Sequence, residues 1–347
     1  MRYFDDQLVA NSRPHAAMWN EVSLKREWFH QTEEAFAAVQ NASAVLPRDA
    51  WLELDGITRR VMRTDEGSAY MNDLMPLAKA VDIGVLVSLN RVSSDVGAPV
   101  MRSMSGQVPV ALDKVTYAYR GTPVPIFADG YKREWREWRT LQNANFDALA
   151  DDQEATTAKI KRDMALFSLN GDASIVVQGY QAYGIRTNPL SKTINVGASG
   201  NNIRLDLPAT TSDAIEAFIN GAFGAMLDAN LVNQKVNIYV SPEIMRNWDR
   251  PYSGSAGFKI GSLREALESN RRINKIVQTF ELTGNEFFGF VPSAEYIRPL
   301  VAMAVNTTAG ARMNPTDNYQ FLVMGAMGLE IRADFNNRSG VFYSIST

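Results

Sequence analysis

The sequence contains no cysteine, which removes disulfides, thiolate nucleophiles, iron–sulfur clusters and thiolate zinc sites in one step. Histidine is nearly as scarce: only His15 and His30 carry an imidazole. Their separation is not the i, i+4 spacing of a helical metal pair. Reactions that lean on an imidazole base or a zinc-bound water therefore lose their usual parts. No run of about twenty apolar residues is present, and the opening MRYFDDQLVANSRPH has no apolar stretch of the kind a secretion signal needs. The expectation is a protein made, at least at first, in a cytoplasm. A large excess of one charge sign is missing too, with a net charge of -3 and no domain-sized basic block. Nucleic-acid readout is thus not expected as the main task.

The usual catalytic signatures are also absent. YSGSAGFKIGS resembles a phosphate loop only in its glycines: Lys259 follows Gly257 by two and is succeeded by Ile260, which breaks the G-x-x-x-x-G-K-[ST] pattern. No G-x-S-x-G elbow, G-x-G-x-x-G turn, H-E-x-x-H helix or calcium loop occurs. The pairs Asp5 with Asp6 and Asp151 with Asp152 are adjacent in sequence, and neighbours on a helix point about 100° apart. Acid/base catalysis needs two carboxyls converging across about 5 to 10 Å. The expectation is no catalytic, cofactor-binding or metal-binding residue, and no enzyme.

What is present is the composition of a folded chain, 46% apolar and 21% charged over 347 residues, enough for one large core or two modest ones. The stretch from Tyr131 to Asn170 has no glycine or proline. A helix filling most of it would be roughly 55 Å long. Trp138, Gln142, Phe146, Leu149, Gln153, Thr156, Ile160, Met164 and Phe167 recur at steps of three or four, which places them on one helical face. Lys132, Arg133, Arg136 and Arg139 crowd its start, Asp147, Asp151, Asp152 and Glu154 its middle, and Lys159, Lys161 and Arg162 a later zone. Such zones read either as a solvated face or as contacts with a neighbouring subunit.

Upstream, two single-faced helices are expected, from Ser23 and from Pro47. VLVSLN at 85–90 and VTYAYR at 115–120 alternate as strands, with Val115, Tyr117 and Tyr119 on one face. The long connection between them, rich in Ser, Gly, Pro and Met, reads as a loop that touches something outside itself or as a mobile surface hairpin. Asn170 and Gly171 mark a turn into two short strands, and a helix is expected from Thr210. From Val236 follow strand, helix, loop, helix, strand and strand, then RPLVAMAVN, a pattern of layered α/β structure. The end, YQFLVMGAMGLEIRADFNNRSGVFYSIST, reads as three strand-like runs broken at Gly328 and at NNRSG. The two strands after Gly171 are their expected partners.

The order of these elements, with LPRDAWLELD, VDIGVLVSLNRVSSDVGAP, GTPVPIFADGYKREWREW, FSLNGD and GYQAYGIRTNP, resembles the major capsid proteins of tailed bacteriophages. Theirs is the Hong Kong 97-like shell fold, shared with encapsulins. The resemblance implies an α+β chain divided into an N-terminal arm (1–80), an extended two-stranded loop (81–130), a peripheral domain with a long spine helix (131–208), an inserted α/β axial domain (209–312) and a return to the peripheral domain (313–347). It implies self-assembly through pentamers and hexamers into an icosahedral virion capsid around double-stranded DNA, held without sequence-specific binding and without a membrane. Scaffold, portal and decoration proteins are the further partners, and the bacterial cytoplasm is the site of assembly. Subunit-interface candidates are Val100, Met101, Met104, Ser105 and Gly106 at the loop tip, Arg133, Arg136 and Arg139, and Gly254, Gly257 and Lys259. Some shells of the family are crosslinked through a lysine near that tip, but 92–113 contains none, which implies non-covalent clasping or a separate cement protein. The alternatives are an encapsulin-type compartment and a soluble hydrolase using carboxylates.

Overall fold

Beta-branched and aromatic runs dominate the second half of the chain, and they supply most strands of two sheets that share one long helix. The computed structural model describes residues 68–97, 102, 104, 113–137, 148–252, 261–312 and 314–346, all within one compact unit, 62–347. The helices expected from Ser23 and Pro47 lie outside the described residues.

Helix α1 (Ser68–Leu74) runs into a 3-10 turn and the short strand β1 (Lys79–Ala80). Strands β2 (Val87–Ser93), β3 (Tyr117–Pro123) and β4 (Ile126–Arg133) precede helix α2 (Ala148–Asn170). Next come β5 (Gly171–Val177), β6 (Tyr180–Tyr183), β7 (Lys192–Asn195), α3 (Ser212–Phe218) and α4 (Gly224–Ala229). The chain closes with β8 (Val236–Val240), α5 (Pro242–Trp248), α6 (Leu263–Glu268), β9 (Ile273–Gln278), β10 (Phe287–Phe290), β11 (Ile297–Ala309), β12 (Tyr319–Ile331) and β13 (Val341–Ile345). One sheet runs β1-β11-β12-β4 and another β7-β13-β10-β8-β9, while β2 with β3 and β5 with β6 form separate ribbons.

The five-stranded sheet is buried on both faces. On one side Val236, Ile238, Val240, Phe287 and Phe342 join Ile215, Phe218, Phe223, Trp248 and Leu263 of the helices around it. On the other, Tyr239, Phe288, Phe290 and Val341 meet Tyr70 and Leu74 of α1 and Ala165 and Leu169 of α2. Two-sided burial explains why VNIYV and FFGF do not alternate between buried and exposed positions: every residue of both strands is buried. The helices over the first face start on side-chain caps, Thr211 Oγ1 for α3, Ser241 Oγ for α5 and a full capping box of Ser262 with Glu265 for α6.

Helix α1 is a wedge. Tyr70 is fully buried, its hydroxyl donates to the Ala165 carbonyl of α2 at 2.8 Å, and its ring meets Phe288 edge-on at 5.3 Å. Asp73 accepts from the Tyr239 hydroxyl and from Lys275 Nζ at 2.6 Å. Burial, and then this bond, push the Tyr239 phenol well above its ordinary pKa. The same helix α2 that receives Tyr70 also packs Ile160 and Met164 on Val323 and Met327 of the four-stranded sheet. Both sheets are therefore tied to one rod.

Three expectations are corrected. Residues 131–133 are not helix: they end β4, opposite Phe321, Gln320 and Tyr319 of β12. Tyr131 stacks on Phe321 at 5.0 Å, a cross-strand contact that outweighs local helix propensity. Helix is found at 135–137 and again in α2, while Trp138, Gln142 and Phe146 lie outside the described residues. Gly328 does not break the terminal strand. It sits inside β12 opposite Leu300, where a Cβ would stand 2.5 Å from the Pro123 carbonyl oxygen, so glycine here admits a crossing backbone. Finally, the C-terminal strands do not pair with the ribbon after Gly171: β12 lies between β11 and β4, and β13 between β7 and β10.

Tyr70→Ala should destabilise the chain by about 3 to 5 kcal/mol through the cavity it leaves, and Tyr70→Phe by about 1 kcal/mol through one lost hydrogen bond. Urea unfolding checks both, and equal stability of the two variants would contradict the wedge.

Candidate assembly interface

Among the described residues strands β2 and β3 pair only with each other, Leu89 opposite Gly121, Arg91 opposite Tyr119 and Ser93 opposite Tyr117. The alternation places Leu89, Arg91, Tyr117 and Tyr119 on one face and Asn90, Val92, Ala118 and Arg120 on the other. The first face is uncovered: Leu89, Tyr117 and Tyr119 keep 57%, 57% and 61% of their surface exposed. Arg91 lies 4.9 Å over the Tyr117 ring, a cation–π contact that leaves the ring's outer edge in water. Leu86, just before β2, is also exposed, and Met104 is fully exposed in the connection. Covering the exposed part of each leucine or tyrosine contributes about 1 kcal/mol. Three large apolar or aromatic side chains exposed on one face make it a candidate interaction surface.

Beyond the strands the ribbon continues through side-chain bonds. Thr116 N–H donates to Ser94 Oγ at 2.9 Å, and Gly97 N–H donates to Asp113 Oδ2 at 2.7 Å. At its root the second face meets the body. Asn90 is buried, and Arg120 donates to the carbonyl oxygens of Ala333 at 2.9 Å and Asp334 at 3.1 Å and to Asn337 Oδ1 at 2.8 Å. Burial lowers the Arg120 pKa from its ordinary value, with the Asp334 carboxylate opposing.

Of the residues singled out by sequence, Met104 is the one at the ribbon tip that the structure describes; Val100, Met101, Ser105 and Gly106 lie outside the described residues. Arg133 is engaged within the chain, donating to Asp152 at 2.5 and 3.0 Å and to Glu137 at 2.7 Å. These bonds raise its pKa above the ordinary value, the Asp152 contact most. Arg136 lies 5.6 Å over the Trp135 ring, and Arg139 is outside the described residues. The charged zones of α2 are likewise used against β4, where Lys159 donates to Asp129 at 2.6 Å and lowers the pKa of that carboxyl. Gly254, Gly257 and Lys259 are also outside, but their loop has a described root: Tyr252 N–H donates to the Gly261 carbonyl at 3.0 Å, and its hydroxyl to Glu216 at 2.9 Å. The Glu216 bond, with burial, pushes the Tyr252 phenol up to about 12.

Leu89 and Arg120 were not among the candidates. Leu89 is detectable as the cross-strand continuation of the Tyr117 and Tyr119 face. Arg120 carries no local signal, because its acceptors lie more than two hundred residues away. Among the described residues no group of three or more His, Asp or Glu side chains is placed to share a metal ion, and no helix is long and apolar enough to cross a membrane.

Comparison with known structures places this geometry. The capsid of the myovirus XM1 superposes with a TM-score of 0.62 at 11% identity, over 88% of this chain and 100% of that one. The capsid of the native GTA particle gives 0.56 at 11% identity, over 89% and 98%. A Microbacterium phage Oxtober96 chain gives 0.56 at 13% identity, over 85% and 95%. None of the curated proteins matches the sequence. A family model described as a family of unknown function (DUF6260) matches residues 41–344. The chain therefore belongs to the DUF6260 family and has the Hong Kong 97-like capsid fold.

Proposed function

We propose that this chain is the repeating subunit of a closed protein shell, and specifically the major capsid protein of a tailed bacteriophage, assembling through pentamers and hexamers around double-stranded DNA. The observation that carries the reading is the exposed Leu89, Tyr117 and Tyr119 face on a ribbon to which, among the described residues, no third strand is hydrogen-bonded, in a chain with a capsid fold. In this reading 1–80 is the arm, 81–130 the extended loop, 131–208 and 313–347 the peripheral domain, and 209–312 the axial domain.

The mechanism is geometric. The extended loop lies over a neighbouring subunit, which covers the apolar face and the tip residues Val100, Met101, Met104, Ser105 and Gly106. The loop carrying Gly254, Gly257 and Lys259 faces its own copies at the five-fold and six-fold axes. Arg136 and Arg139 reach the neighbour, while Arg133, held by Asp152 and Glu137, keeps the 135–137 turn in place for them. Obligate contacts of this type bury more than about 2,000 Å², so shell stability and assembly are one quantity. With no lysine in 92–113, the clasp is non-covalent.

Purified full-length chain is expected to sediment as megadalton particles, or as capsomers that convert to them, with closed shells in electron micrographs. A monomer that persists at high concentration across salt and pH would contradict the proposal. Nucleic acid inside particles isolated from the producing host separates a genome shell from a compartment with protein cargo.

The double variant Leu89→Ser and Tyr119→Ser should keep the melting temperature of the dispersed chain. It should raise the concentration needed for assembly by about thirtyfold, the equivalent of about 2 kcal/mol per subunit contact. Light scattering against concentration measures it, and an unchanged threshold would remove the apolar face from the interface.

A further inference from the structure

The ribbon β2–β3 leaves the body at a definite angle, and the side chains at its root account for that angle. On one face Gly121 lies against the Tyr180 ring of β6, so close that a Cβ would stand 2.6 Å from its carbons. On the other face the Arg120 guanidinium spans three acceptors of a single turn, the carbonyls of Ala333 and Asp334 and the side-chain oxygen of Asn337. Asn337 is held at a φ of 61°, a left-handed conformation that asparagine tolerates better than most residues. That conformation belongs to the turn whose groups receive Arg120. Just beyond this contact lies a cleft of about 450 Å³, with Asn90, Arg91, Val92 and Ser93 of β2 on one side and Leu231, Tyr296 and the 332–338 turn on the other. Leu231 and Phe335 in its wall keep 62% and 44% of their surface exposed, so the body leaves room on that side into which the ribbon could tilt.

We propose that Arg120 is the positioning residue of the ribbon: its fork of hydrogen bonds to the 333–337 turn fixes the direction in which β2 and β3 project, and its loss lets them tilt across the cleft. Arginine suits this task because a planar guanidinium reaches several acceptors at set angles, which a lysine ammonium on a flexible stem does not. A two-stranded ribbon has little stiffness of its own at its root, so one multidentate contact there decides where its far end points. The inference about direction stands on the geometry of a single chain. Its consequence, that subunits with a wandering ribbon build particles of mixed size, rests on the shell reading above.

The absence of cysteine makes the test direct, since spin labels attach only where cysteines are introduced. Labels at Val96→Cys on the ribbon and Lys161→Cys on α2 report the ribbon's direction by pulsed electron resonance, on dispersed full-length chain. The parent should give one narrow distance distribution. Arg120→Ala should at least double its width, Arg120→Lys should fall between, and Asn337→Gly, which keeps the left-handed turn but removes one acceptor, should broaden it measurably. An Arg120→Ala distribution as narrow as the parent's, in a chain with an unaltered melting temperature, overturns the proposal. If Arg120→Ala does not fold, Asn337→Gly decides it in the same way. Broadening in a chain whose parent forms no particles under any condition would uphold the positioning role while sinking the shell reading. Broadening together with particles of mixed diameter, where the parent's are uniform, upholds both.

Discussion

Two strands that have only each other are a poor structure in water. An isolated antiparallel pair is marginal because half of its hydrogen-bonding edges face solvent and neither face is packed. In this chain that pair also presents Leu89, Tyr117 and Tyr119 outward. Among the described residues none covers these three side chains, while the five-stranded sheet and its helices bury their apolar faces on one another. The structure answers by holding the ribbon firmly at one end and leaving the other end to be completed from outside.

The hold at that end is continuous with the core. Strand β3 stops at Pro123, and β4 begins three residues later and becomes the edge of the four-stranded sheet through its eight pairs with β12. The close passage of Pro123 over Gly328 fixes the crossing. From β12 the contact continues through Val323 and Met327 into α2, and from α2 through Ala165 to Tyr70 and the five-stranded sheet. Load applied to the ribbon is thereby carried by backbone pairing and packed side chains rather than by a loop, which suits the clasping role proposed for it.

Much of this was legible in the sequence, and the failures have a common cause. β8 and the capped helices α5 and α6 start where their local patterns lie, the ribbon strands form two residues further along than the runs at 85–90 and 115–120, and Gly171, at a φ of 68°, takes the chain directly from α2 into β5. The misread positions are those decided by residues far away. Tyr131 is strand because Phe321 stacks on it, although KREWREW favours helix locally. Gly328 continues a strand because the Pro123 carbonyl occupies the space a side chain would take. The partners of β12 and β13 come from distant segments rather than from the adjacent ribbon. The candidate interface divides in the same way: alternation reveals the apolar face, whereas Arg120, which aims it, is one cation among 35 until the fold brings the 333–337 turn to it.

The central claim is that the exposed face of β2 and β3 is buried by another copy. Hydroxyl-radical labelling, quantified residue by residue in dispersed and in assembled protein, tests it most directly. Tyr117, Tyr119 and Met104 should react freely in the dispersed chain, and in particles the two tyrosines should fall to the level of Tyr70, which is fully buried in the single chain. Tyrosines that react as fast in intact particles as in dispersed subunits would contradict the account.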